Sequence, residues 1–412
     1  MKKALLALAA LLSACTATAP VETAPAPAPT NAAPTRAPAA SVVEGGNEFG
    51  VDLYRRLAAQ RGNVFVSPTS ISTAFALAYA GARGATAEEI ARTLHYPRAA
   101  LHPEMGALLR TLATNAPGRR LTVANALWVQ RGFALRPEYL SVTREHYGAA
   151  PETLDFARQE EAVGRINRWA EENTNGLIRG LLTPEQVDGD TRLVLTNTVY
   201  FLADWVRQFD REATREGDFH LAGGGTRRTP LMNQDSDFRY FETPDFQAAA
   251  LPYRGDEFEM DVFLPRARDG LGAFEAALTP ALLREWLRRL DAAEPRRLAL
   301  ALPKVRVQAR YMLPQTLREL GMVTPFTEAA DFSGIAQAPL AISQAVHQTY
   351  LRIDEQGTEA AAATAVAIMV TGARIRPPPV PFRADHPFFF LIRHRPTGAV
   401  VFLGRIEAPE AP

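Results

Sequence analysis

The segment Asp354-Glu355-Gln356-Gly357-Thr358-Glu359-Ala360-Ala361-Ala362-Ala363-Thr364-Ala365-Val366-Ala367-Ile368-Met369-Val370-Thr371-Gly372 is the most unusual run in the chain. Its consecutive alanines suit a surface helix. Alternation suits a strand equally well: Thr358, Ala360, Ala362, Thr364, Val366 and Ile368 share one face, with Glu359 and the remaining small residues on the other. That face grows more apolar along the chain, and no proline before Pro377 removes a ladder hydrogen bond. By itself the segment leaves helix and strand open.

The surrounding body mixes both periods. Helical spacing is clear in Phe49-Val51-Leu53-Tyr54-Leu57, in Ile71-Phe75-Leu77-Ala78 after the start signal Ser67-Pro68, and in Val163-Ile166-Trp169. Strand signals lie at Val123-Leu127-Trp128-Val129, Leu193-Val194-Leu195 with Val199-Tyr200-Phe201, Met260 to Leu264, Leu298-Leu300-Leu302, Phe388 to Ile392 and Val400 to Leu403. Helices dominate the first half and strands the second without regular alternation, which predicts an α+β fold. Length alone would suggest about two or three domains.

Composition narrows the function. With 45 basic against 45 acidic side chains, nothing favours nucleic acid or an acidic polymer as partner. A single cysteine among 412 residues cannot close an intramolecular disulfide, and seven dispersed histidines assemble no zinc spacing. The expectation is no metal and no cofactor. Gly-x-Ser-x-Gly, Walker A, His-Glu-x-x-His and Gly-x-Gly-x-x-Gly are all absent, which lowers the case for a hydrolase or any other enzyme.

The first residues form a separate system. Met1-Lys2-Lys3, the apolar run Ala4 to Leu12 and Ser13-Ala14-Cys15 predict a signal peptide over 1–14, too short to span a bilayer. Leu12-Ser13-Ala14-Cys15 resembles the lipobox of bacterial lipoprotein precursors, which implies cleavage before Cys15 and lipidation of its thiol and new amine. Residue 16 is Thr rather than the aspartate of inner-membrane retention, so the expectation is an exported cell-envelope lipoprotein of the outer membrane, or an extracellular protein. Residues 15–45 then form a lipidated N-terminus and an Ala/Pro/Thr-rich disordered tether.

Read along the chain, these elements converge. Glu355-Gln356-Gly357-Thr358-Glu359-Ala360-Ala361-Ala362-Ala363-Thr364 resembles the reactive-centre-loop hinge of inhibitory serpins. Asn63 to Ser72 resembles the segment that opens the serpin shutter, and Asn197-Thr198-Val199-Tyr200-Phe201 with Trp205 resembles the central strand of the large sheet and its breach tryptophan. Leu302-Pro303-Lys304, Asp331-Phe332-Ser333-Gly334-Ile335, His347 and Asp385-His386-Pro387-Phe388 follow in the family's order. The resemblance covers residues 47–408 and reduces the length-based domain count to one.

What it implies is specific. The fold is α+β with three β-sheets, about eight to nine helices and an exposed reactive-centre loop. The serpin domain would run over 46–408, with the loop at 353–381. A monomer is expected. A serine protease attacks the loop as substrate, and the acyl-enzyme is trapped when the cleaved loop inserts into the large sheet; a cysteine protease can be held as a thioester in the same way. Counting from Glu355 as the first hinge position, the seventeenth is Thr371, with Gly372 on the leaving side. A small residue there suits an elastase- or subtilisin-like pocket. Val370 is an alternative, and so is Arg374, which would suit a trypsin-like enzyme. Ser67, Ser70, Asn197 and His347 are the implied shutter, Trp205 the breach, and Glu355, Gly357, Thr358, Glu359 and Ala360 to Ala363 the hinge. Leu202-Ala203-Asp204 departs from the family's usual Lys-Gly there. The competing expectation is a non-inhibitory serpin-fold binding or scaffold lipoprotein, a group marked by bulky, charged or proline residues in the hinge.

Overall fold

In the computed structural model, residues 39–148, 150–358 and 377–410 are described. The signal peptide, Cys15, the tether up to residue 38, Glu359, Ala360 to Ala363, Val370, Thr371, Gly372 and Arg374 lie outside them. Among the described residues there are nine α-helices, six of them before residue 174, and no helix is long and apolar enough to cross a membrane.

The first helix, Ala40–Leu57, begins inside the stretch assigned to the tether. The pair Gly45-Gly46 reads as a break in sequence, yet Val42 and Val43 before it are buried. Gly45 is required rather than tolerated, because a Cβ there would lie 2.2 Å from the His95 carbonyl oxygen. The glycine brings the helix against that backbone, and the folded body therefore starts several residues before residue 46.

Helix Pro68–Gly81 is buried along nearly its whole length. Ser67 caps it by accepting a hydrogen bond from the Ser70 N–H, and Pro68 occupies the first turn, where its missing N–H costs nothing. This helix lies behind a seven-stranded sheet in which Val305–Met312, Ile342–Ile353, Leu193–Asp204, Arg119–Gln130 and Thr114–Ala116 succeed one another. Strand Leu193–Asp204 is buried on both faces. Leu193, Leu195, Val199, Phe201 and Ala203 join the main core, whereas Val194 joins a second cluster with Trp128, Phe156 and the apolar side of helix Gln159–Asn173.

The remaining strands form one nine-stranded network with two regions. The 17-residue strand Thr226–Glu242 links them, pairing with Arg215–His220 over its first residues and with Phe246–Pro252 over its last. With the seven-stranded sheet this makes three strand groups, two of them sharing a strand.

Candidate functional site

The two central strands of the large sheet, Leu193–Asp204 and Ile342–Ile353, are parallel and directly paired only in their lower part, up to Val199 opposite Thr349. Above that point they part. Gly357 and Thr358 occupy the gap, antiparallel to both neighbours, with Thr358 opposite Ala203 on one side and Ile353 on the other. Gly357 is sterically obligatory, since a Cβ would lie 2.0 Å from the Ala203 carbonyl oxygen.

Below the gap, one polar row crosses four strands. Asn125 faces Asn197, Asn197 faces His347, and His347 faces Tyr311. The Ser67 N–H donates to His347 Nε2 at 3.1 Å, so the Nδ1 nitrogen carries the proton and donates to Asn197 Oδ1. The Asn197 amide in turn donates to Asn125 Oδ1, to Ser70 Oγ and to the Ser70 carbonyl at 2.9 Å. All four predicted shutter residues therefore meet, tying the buried helix Pro68–Gly81 to both central strands. Sequence reasoning missed Asn125, although an asparagine inside the apolar run Val123-Ala124-Asn125-Ala126-Leu127 is itself a signal of a buried polar partner.

Burial pushes the His347 imidazole down to about 3 from its ordinary 6.5. Between those values the unfolded chain takes up a proton that the native state refuses. His347 thus contributes its full stability above about pH 6.5, and the contribution is lost by roughly 1.4 kcal/mol per unit as the pH falls toward about 3. Denaturant midpoints measured across that window should fall less steeply in His347→Gln than in the parent.

Above the gap, Trp205 and its neighbours hold residues 354–358. The Trp205 indole N–H donates to the Asp354 carbonyl at 3.0 Å, and the Trp205 and Phe209 backbone N–H groups donate to the Gln356 and Glu355 carbonyls, each at 2.8 Å. Trp205 stacks on Tyr253 with ring centroids 4.4 Å apart, and the Tyr253 hydroxyl lies 2.6 Å from Thr358 Oγ1. Glu355 pairs with Lys304 at 3.1 Å and accepts from the Thr214 hydroxyl at 2.9 Å. Burial alone would raise the Glu355 carboxyl; hydrogen bonds from its own backbone, Thr214 and Lys304 outweigh that and hold it below the usual range. Where the sequence departs from the usual Lys-Gly, Ala203 and Asp204 supply the register partners of Thr358 and Gly357, and Asp204 sits 3.5 Å from Arg254.

A split sheet with the start of a strand already seated in it, above a polar clasp, matches known proteins. A family model described as "Serpin (serine protease inhibitor)" matches residues 44–409. The chain belongs to the serpin family. An uncharacterized serpin-like protein of Thermococcus kodakarensis is 41% identical over 377 residues, which cover 90% of this chain and 86% of that one. The leukocyte elastase inhibitor of Bos taurus is 36% identical, covering 88% of this serpin and 97% of the relative. Among solved structures, Serpin48 of the insect Tenebrio molitor superposes with a TM-score of 0.79 at 31% identity, covering 90% of this chain and 98% of that one.

Proposed function

We propose that this serpin inhibits serine-type endopeptidases as a suicide substrate, by inserting its cleaved loop into the large sheet. The observation that carries the reading is the register of Gly357 and Thr358. Continued two residues at a time, pairing with Leu193–Asp204 brings Ala360 to Phe201, Ala362 to Val199, Thr364 to Asn197 and Val366 to Leu195. Pairing with Ile342–Ile353 brings the same residues to Leu351, Thr349, His347 and Ala345. At every step from Ala362 on, the incoming residue falls between two residues that now face each other, so no slip is needed. Small Ala360 and Ala362 enter where the gap is narrow, and Val366 arrives in the main core. Glu359, on the opposite face, would arrive beside Arg352.

Thr371-Gly372 is the preferred reactive bond, with Val370 and Arg374 as alternatives, and an elastase- or subtilisin-like protease is the preferred target. The similarity to a relative named as an elastase inhibitor supports that preference. Incubation with elastase-, subtilisin- and trypsin-like enzymes, followed by a denaturing gel and mass spectrometry of the released peptide, tests both points. Loop cleavage without an SDS-stable complex in any of the three would leave the binding or scaffold reading.

The N-terminal signal supports a bacterial lipoprotein held to a membrane through Cys15. Several acyl chains at about 0.8 kcal/mol per buried methylene exceed the two-signal threshold for stable anchoring. In a bacterial host the parent should partition into the detergent phase of a cloud-point separation, and Cys15→Ser should move to the aqueous phase. Equal partitioning of the two would remove the anchor.

A further inference from the structure

Behind the breach lies a cavity of about 260 Å³ that the inhibitory reading does not use. Trp205, Phe209, Phe238 and Leu251 form its apolar floor, and Val206, one of the few exposed large apolar residues, stands at its wall. Three arginines line it. Arg239 pairs with the buried Glu259 and with Asp291, and Arg395 lies 3.8 Å from the same Glu259. Arg207 differs: its guanidinium donates to Ser236 Oγ and to the Asp237 carbonyl oxygen, both at 2.7 Å and both neutral. Asp237 and Asp256 also line the cavity, but neither carboxylate pairs with Arg207 among the described residues. The amide of Gln234 donates to the Arg207 and Gln208 carbonyls and fixes the turn that carries Arg207. An apolar floor and a rim arginine that pairs with no carboxylate among the described residues define the complement: an apolar body with one anionic group.

We propose that this cavity binds a small aromatic anion, such as an aryl carboxylate or sulfonate, and that its occupant steadies the hinge. The second part follows from what the floor already holds. Trp205 and Phe209 line the cavity, while their N–H groups hold the carbonyls of Asp354, Glu355 and Gln356. A ligand packed on that pair restricts the residues from which the reactive loop departs.

Anilinonaphthalene sulfonate is a suitable probe, because it carries an aromatic body and an anion and fluoresces on burial. Its neutral counterpart phenylnaphthylamine lacks only the sulfonate. On the full chain, one saturable site for the sulfonate is expected. Arg207→Glu should weaken it by about tenfold or more, the scale of one charge-assisted contact replaced by repulsion. Val206→Glu, also a surface change that leaves the core alone, should abolish it. Arg284→Gln, in a separate groove between helices Ala40–Leu57 and Pro280–Asp291, should leave it unchanged. Undiminished affinity in both Arg207→Glu and Val206→Glu, or equal binding of phenylnaphthylamine, would overturn the site. Hydrogen exchange reads the link to the hinge: the amides of Trp205 and Phe209 should exchange more slowly with the probe bound, and unchanged rates would overturn that link. Neither measurement involves a protease, so its outcome is separable from that of the inhibitory reading.

Discussion

Thr358→Arg should leave the loop cleavable but unable to hold a protease. Thr358 is only 1% exposed, seated between Ala203 and Ile353, with its hydroxyl against Tyr253. An arginine there would place a charge beside Trp205 and Tyr253, where the nearby carboxylates of Asp204 and Asp354 already pair with Arg254 and Arg352. An uncompensated buried charge costs about 3–5 kcal/mol, so the arginine should leave the slot in the uncleaved form and the cost then falls on insertion. Trapping is a race between insertion and hydrolysis of the acyl-enzyme, and each ~1.4 kcal/mol added to the insertion barrier slows it about tenfold. The partition should therefore shift toward cleaved, released chain by roughly a hundredfold or more. A denaturing gel should show cleaved serpin in place of the covalent complex, with loop cleavage itself as fast as in the parent. Undiminished complex in this variant would sink the insertion reading. Thr358→Ser, which keeps the hydroxyl and the size class, should behave as the parent does.

The second large effect concerns the clasp below. Asn197→Ala removes hydrogen bonds to Ser70, Asn125 and His347 at once, all inside the protein. Buried polar groups left without partners cost about 1–3 kcal/mol each, so the uncleaved form should lose roughly 3–5 kcal/mol. The cleaved, inserted form should lose less, by about the 1–3 kcal/mol that goes with the His347 contact, because the bonds to Ser70 and Asn125 do not cross the gap. A strand seated between Leu193–Asp204 and Ile342–Ile353 separates Asn197 from His347 by two strand spacings, about 9.5 Å, and their direct bond is then gone in the parent as well. Comparing denaturant midpoints of both forms in parent and variant tests this; an equal loss in both would mean that the clasp is not opened by insertion.

The legible part of this site was its composition, and the illegible part its pairing. Ser67, Ser70, Asn197, His347 and Trp205 stand in recognisable local contexts; the first four meet in one hydrogen-bonded row, and Trp205 holds the Asp354 carbonyl. Asn125 and Tyr253 act through partners on other strands, and strand register depends on how distant segments meet rather than on local pattern. Helix and strand stayed open for the Ala-rich segment because alanine packs in either. The seating of Gly357 and Thr358 favours the strand for the residues at its start. The early onset of the first helix was hidden by Gly45, a residue that signals a break in isolation and a close backbone crossing once His95 is in place.

The Glu355–Lys304 pair carries one more consequence, in the chemistry of labelling. The chain has three lysines, Lys2, Lys3 and Lys304, and the first two precede the proposed cleavage before Cys15. The folded body then offers one side-chain amine, and it sits at the base of the hinge. An amine-reactive dye would attach there almost alone, provided Glu355 lets go of its partner. The speed of that acylation becomes a clock for hinge opening in solution, read without a protease and without altering a residue.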